Sequence, residues 1–329
     1  MVSKKLALFL GLSAGLSACS DSSSRDYTGP EADPIAESQA APAANTWATK
    51  QHMLTFLGQV KGGLLNGIVY VVGGLRSDGV ASSLVQAYNV SSNTWSLKKK
   101  LPSGRRAING VSAIGSKLYV TGGFNNSSQI TRTLFVYTPA SNTWVKLADM
   151  PRPASCGAQG VISGMLYVYA GCTGTANEHK FFRYNPASNS WTTLPAPPSK
   201  HSSPSAAGVI KGKFYLAGGL KDNFQINTGL HVYNPSTNTW TGKAPIPSVQ
   251  ANGNFGVLND KLYAAGGADE NIVRSVWVYT PGTNSWASKA PLPTARYDGA
   301  GVGAGGLFFV MGGTLPTGQP SADNEAYNP

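Results

Sequence analysis

One unit recurs six times in this chain, and that recurrence constrains the fold more than any other feature. An Asn-Thr/Ser-Trp triplet ends at Trp47, Trp95, Trp144, Trp191, Trp240 and Trp286. A diglycine after an apolar run stands at Gly73-Gly74, Gly122-Gly123, Gly218-Gly219, Gly266-Gly267 and Gly312-Gly313, and the third copy reads Gly171-Cys172. A Tyr closes another apolar run at Tyr88, Tyr137, Tyr184, Tyr233, Tyr279 and Tyr327. All three markers keep a period of 46 to 49 residues. Short runs such as Lys117 to Thr121 and Thr133 to Tyr137 read as strands. Pro-Ala-Ser-Asn and Pro-Ser-Thr-Asn between them are turn chemistry, with Pro setting φ and Asn tolerating unusual backbone angles.

Diglycine, then Tyr, then Trp at this period resembles the kelch repeat over the whole of residues 45–329. The resemblance implies an all-β propeller of four-stranded antiparallel blades around a central channel. The glycines suit a close approach of backbones near the axis. Each Trp is expected to start an outermost strand and to be buried between blades, where truncation to Ala would cost ~3–5 kcal/mol. The chain ends at Tyr327-Asn328-Pro329, the first part of a unit such as Tyr184 to Trp191. Its folded part begins with Asn45-Thr46-Trp47, the second part. Joined, they regenerate one repeat, so the strand carrying Trp47 should close the last of six blades and remove an open edge.

The first 44 residues read differently. Lys4-Lys5, an apolar run from Leu6 to Leu12, and Leu16-Ser17-Ala18-Cys19 resemble a bacterial lipoprotein signal with its lipobox. That resemblance implies a signal peptide over 1–18 and acylation of Cys19. Several acyl chains would hold the protein on a membrane, each buried CH₂ contributing ~0.8 kcal/mol. Ser20 points to the outer membrane of a Gram-negative cell envelope, and 19–44, polar and Pro-containing, is expected to be a flexible tether. Residues 45–329 are then the propeller.

Beyond residue 44 the chain carries 23 Lys and Arg against 10 Asp and Glu. A basic body favours acidic partners, although scattered lysines also serve solubility. The densest basic run is Lys98-Lys99-Lys100, so no nucleic acid is expected as a partner. A monomer is expected.

No metal or cofactor site is expected, since none of His52, His179, His201 and His231 pairs with a His or Cys at ligand spacing. Hydrolase, metalloprotease and phosphate-loop motifs are absent from the sequence. Cys156 and Cys172 fall on consecutive strands joined near Ser163-Gly164, which places residue 156 opposite 171 or 172. A cross-strand disulfide and two buried free thiols are equally open.

Kelch relatives commonly bind ligands on the face where the loops into the inner strands meet the loops after the diglycines. Aligned on the diglycines, the usual kelch Arg position holds Arg106 and Arg296, and elsewhere Leu57, Ser155, Ser202 and Gln250. The expected ligand set is Arg106, Asn109, His201, Gln250, Asn252, Arg296, Tyr297 and Asp298. Two arginines with amides and a Tyr suit a carboxylated sugar or an acidic peptide. Two functions follow: a binding or scaffold module for a protein or acidic glycan, or, by resemblance to periplasmic six-bladed sialic acid mutarotases, an enzyme on sugar acids. For the enzyme, the candidate proton carriers are Glu178, Glu270 and Asp298, with Arg106 or Arg296 as anion anchor. Short, regular repeats favour binding.

Overall fold

The computed structural model describes residues 43–175, 178–222, 225–248, 250–269 and 271–329. The signal peptide, Cys19, the tether up to residue 42 and Glu270 lie outside the described residues. Among the described residues there are 24 strands, β1–β24 in chain order, and no helix. They form six four-stranded antiparallel sheets.

Blade 1 runs outward from the axis as β2 (Lys61–Leu65), β3 (Ile68–Val72), β4 (Val85–Asn89) and β5 (Thr94–Leu97). Blades 2 to 5 repeat this order over 110–146, 158–194, 206–243 and 254–289. Blade 6 consists of β22 (Ala300–Ala304), β23 (Leu307–Met311), β24 (Asn324–Asn328) and, outermost, β1 (Thr46–Thr49). Trp47 pairs with Tyr327, so the two ends of the repeat array complete one sheet. The six innermost strands touch in sequence around a closed ring.

Packing between blades explains the markers. Each repeat Tyr is at most 2% exposed and sits in the apolar layer between two blades. In blades 1 to 5 its hydroxyl donates to the Asn five residues on, as in Tyr137 to Asn142 Oδ1 at 2.7 Å, and in blade 6 Tyr327 donates to Asn45. That Asn is left-handed (φ 50° at Asn142), a conformation Asn tolerates better than most residues. The same Oδ1 accepts the Lys99 N–H at 2.9 Å, which ties blade 2 to blade 1. The Trp indoles are half-buried, not buried as expected. Each lies over the Tyr ring and donates to a carbonyl of the adjacent blade, for example Trp144 Nε1 to Lys99 O at 2.8 Å. The turn exposes one edge of the indole, so its packing value falls below the range for full burial.

The diglycine permits close approach as expected. At Gly122 (φ 65°) a Cβ would collide with the Ala154 carbonyl of blade 3. The third copy needs correction. Leu166 pairs with Tyr184 as Leu118 pairs with Tyr137, so Ala170-Gly171 holds the diglycine place and Cys172 follows it. Strand β11 (Met165–Ala170) simply continues there, with no left-handed residue at 170 or 171.

Candidate functional site

Each loop that enters an innermost strand contains one left-handed residue, and none of the six is Gly. They are Gln59, Ala107, Cys156, Ser203, Asn252 and Asp298, with φ between 49° and 56°. Left-handed backbone is costly for such residues, about 1–2 kcal/mol each. Its effect here is to turn the peptide groups away from their own ladder toward the neighbouring blade. Ala107 N donates to Gln59 O, Ser203 N to Cys156 O, Asn252 N to Ser203 O, and Asp298 N to Asn252 O, at 2.8–3.0 Å. Val60 N then donates to Asp298 O at 3.0 Å. The remaining step is made by a side chain, Ser155 Oγ to Ala107 O at 2.7 Å. A circle of hydrogen bonds thus belts the channel mouth.

All six residues line a cavity of about 410 Å³, within the usual size of small-molecule sites. Its walls are apolar at Phe124, Leu220, Ile226 and Ile272. Four charged side chains reach it: Arg106, Lys61, Asp298 and Asp269. Arg106 stacks over the Phe124 ring at 4.8 Å and donates through Nη1 to Gln59 Oε1 at 3.1 Å. Lys61, first residue of β2, holds Nζ 4.4 Å from the Phe255 ring centroid. Burial pushes its amine pKa down, against the pull of Asp298 and Cys156. Burial pushes Asp298 up to about 6, opposed by Lys61 and Arg106. None of the ion pairs among the described residues includes these four groups. Two cations and two carboxylates, Asp298 and Asp269, therefore line the cavity without an ion pair between them. A narrower cavity of about 180 Å³ continues down the channel, sharing Lys61 and bordered by Asn109, Gln159 and Phe255.

Of the residues expected from sequence, Arg106, Asn252, Tyr297 and Asp298 meet at the mouth. Four belong elsewhere. Arg296 is fully buried; Nη1 lies 2.7 Å from Glu325 Oε2, and Nη2 donates to Val310 O at 2.9 Å. It is a clamp within blade 6. His201 is buried, with Nδ1 2.7 Å from Gly218 O and Nε2 2.8 Å from His231 Nδ1. Burial holds its pKa down to about 3, so it is a neutral structural imidazole. Gln250 is buried and accepts from the Ser248 and Ser275 hydroxyls at 3.1 and 3.0 Å. Asn109 is buried and joins blade 2 to blade 3 through Ala154 O at 3.2 Å, bordering only the deeper cavity.

Glu178 is held by Arg152 at 2.7 Å and Lys180 at 3.2 Å. Hydrogen bonding to Arg152 lowers it to about 2, which removes it as a proton carrier. Cys156 and Cys172 are free thiols here, both half-buried. Among the described residues no cluster of three or more His, Cys, Asp or Glu is arranged for a metal.

Sequence reasoning missed Lys61 and Gln59. It also shifted the Arg alignment. The loop-end bridges pair Arg106 with Phe124 and Tyr297 with Thr314, so Tyr297, not Arg296, is the equivalent of Arg106. Blades 2 and 4 carry one more residue between this bridge and the inner strand than the others do. The left-handed position common to all six loops corrects the alignment, and it is visible only in the backbone, since six different residue types occupy it.

A family profile described as the KLHDC2/KLHL20/DRC7 Kelch-repeats domain matches residues 51–249 and 153–313. Among solved structures, one entitled "Structure of YjhT" is similar to this chain with a TM-score of 0.71 and 18% identity. The match covers 84% of this chain and 96% of that one. At that identity the likeness is one of fold. No curated protein matches the chain.

Proposed function

The chain belongs to the kelch-repeat family, and on that premise we propose that it is a binding module whose channel mouth takes a carboxylated ligand, an acidic sugar above all. The observation that carries the reading is the cavity itself. Arg106 and Lys61 face it without a carboxylate partner within ion-pair distance, beside amides and hydroxyls from Gln59, Asn252 and Tyr297. A partly desolvated guanidinium and ammonium gain most from an anion that can accept hydrogen bonds from both. The apolar wall of Leu220, Ile226 and Ile272 suits the C–H face of a sugar ring. In this proposal a lipid on Cys19 holds the propeller at the bacterial envelope.

Calorimetric titration with glucuronate and sialic acid tests it. Binding that is lost in Arg106→Ala and in Lys61→Ala supports the site. Unchanged binding in both would show the wrong face was chosen.

A second reading rests on Asp298. A carboxylate with a pKa near 6 beside two cations is suited to accept the proton of an anomeric hydroxyl as a sugar-acid ring opens. In that reading the protein interconverts anomers. NMR of anomer exchange tests it: a rate that rises with protein and is lost in Asp298→Asn supports the enzyme, while an unaltered rate leaves binding alone.

A further inference from the structure

Blade 3 carries a cysteine at the left-handed loop position that all six blades share, and a second cysteine at the residue its loop end bridges. Ser155 bridges Cys172 across the loop end, so Cys156 would face away from Cys172 in a regular ladder. The left-handed turn at Cys156 (φ 50°) breaks the alternation. Its thiol donates to Ser155 Oγ at 3.8 Å, on the residue that bridges Cys172, and both cysteines are half-exposed. Cys156 also lines the main cavity.

The two sulfurs are inequivalent. Cys172 Sγ lies 3.1 Å from Ser202 Oγ, with Lys200 contributing positive charge nearby. The neighbouring Cys156, then Ser202 and Lys200, bring Cys172 down to about 7. Cys156 is pushed up, first by its interaction with Cys172 and then by burial. A sulfur carrying substantial thiolate near neutral pH is the nucleophile of disulfide exchange. Its neighbour, still protonated, is placed to complete the exchange.

We propose that Cys156 and Cys172 form a reversible dithiol–disulfide site at the channel mouth, oxidised by a small-molecule disulfide. Cys172 Sγ attacks one sulfur of R–S–S–R; that S–S bond breaks and RS⁻ leaves. Cys156 loses its proton to solvent and attacks Cys172 Sγ, releasing the second RS⁻. Two protein thiols are oxidised to one disulfide, and R–S–S–R is reduced to two RSH. The site stands independently of any ligand of the cavity.

Glutathione disulfide is the probe. After equilibration with the folded full-length protein, unreacted thiols are alkylated and the protein is cut with trypsin. Cys156 and Cys172 share one segment, 147–180, because Arg152 precedes Pro153; Cys19 is therefore read separately. The expected result is a segment two hydrogens lighter, without alkyl groups or glutathione, restored to two alkylatable thiols by dithiothreitol. Cys156→Ser should instead retain one glutathione on Cys172, and Cys172→Ser should react at least tenfold more slowly. Two alkyl groups on the wild-type segment after prolonged exposure, or stable glutathione adducts on both cysteines, would overturn the proposal. The wild-type measurement does not depend on either variant folding.

Discussion

Trp47, near the start of the described chain, lies opposite Tyr327, two residues from its end, with their ring centroids 5.3 Å apart. Trp47 Nε1 donates to Ala290 O of blade 5 at 2.8 Å, and Tyr327 OH donates to Asn45 Oδ1 at 2.8 Å. The seam is thus closed by the same contacts that join every other pair of blades. Trp47→Ala removes half-buried aromatic surface and one hydrogen bond, and should cost about 2–3 kcal/mol. Urea denaturation measures it. Deleting residues 43–50 should do more, because β24 would become an open edge and the protein should associate in a concentration-dependent way.

Asn142 makes two contacts with one oxygen and holds a left-handed backbone. Asn142→Gly keeps the conformation and loses the bonds, for about 1–2 kcal/mol. Asn142→Ala adds the strain of a left-handed residue, for roughly 1–2 kcal/mol more. Equal losses in the two variants would contradict this account of the repeat Asn.

The two arginines once equated by sequence should behave oppositely. Arg296→Ala leaves Glu325 buried without its partner and should cost about 3–5 kcal/mol of stability. Arg106→Ala should change stability by less than about 1 kcal/mol and abolish sugar-acid binding. Thermal melting and calorimetry on the same two variants separate a clamp from a contact residue.

Asp298 sets the pH dependence. Its folded pKa of about 6 lies above the ordinary 3.8, so the folded state holds a proton between those values that the unfolded chain has released. The stability gained from the neutral form is complete below 3.8 and lost as pH rises through about 6. Protonation also removes a negative charge from an anion site. Affinity for a sugar acid should therefore rise several-fold from pH 7.5 to 5. Asp298→Asn should bind more tightly at pH 7.5 and show a flat profile; a wild-type slope retained in that variant would place the titrating group elsewhere.

The ring was readable because Tyr, Asn and Trp serve one inter-blade junction that every blade must make, so selection for packing repeats them at one period. The mouth was harder to read. Its shape depends on loops that differ by one residue between blades, and a single extra residue between Arg106 and Gly110 moves every side chain relative to the diglycine count. Arg296 was misplaced for that reason. Lys61 was missed because it opens a strand with no local motif, and only the closed circle of blades brings it to Asp298 and Arg106. Cys156 and Cys172 were read as neighbours, and Ser155 bridges Cys172, but the direction of the Cys156 side chain depends on a left-handed turn that nothing in the sequence around it marks.

A co-crystal structure with glucuronate tests the ligand site most directly. The account predicts the carboxylate seated within hydrogen-bond distance of both Arg106 and Lys61, with the sugar ring against Ile226 and Ile272. A sugar acid bound at the outer edges of the blades or on the opposite face, with the channel mouth empty at saturating concentration, would contradict it.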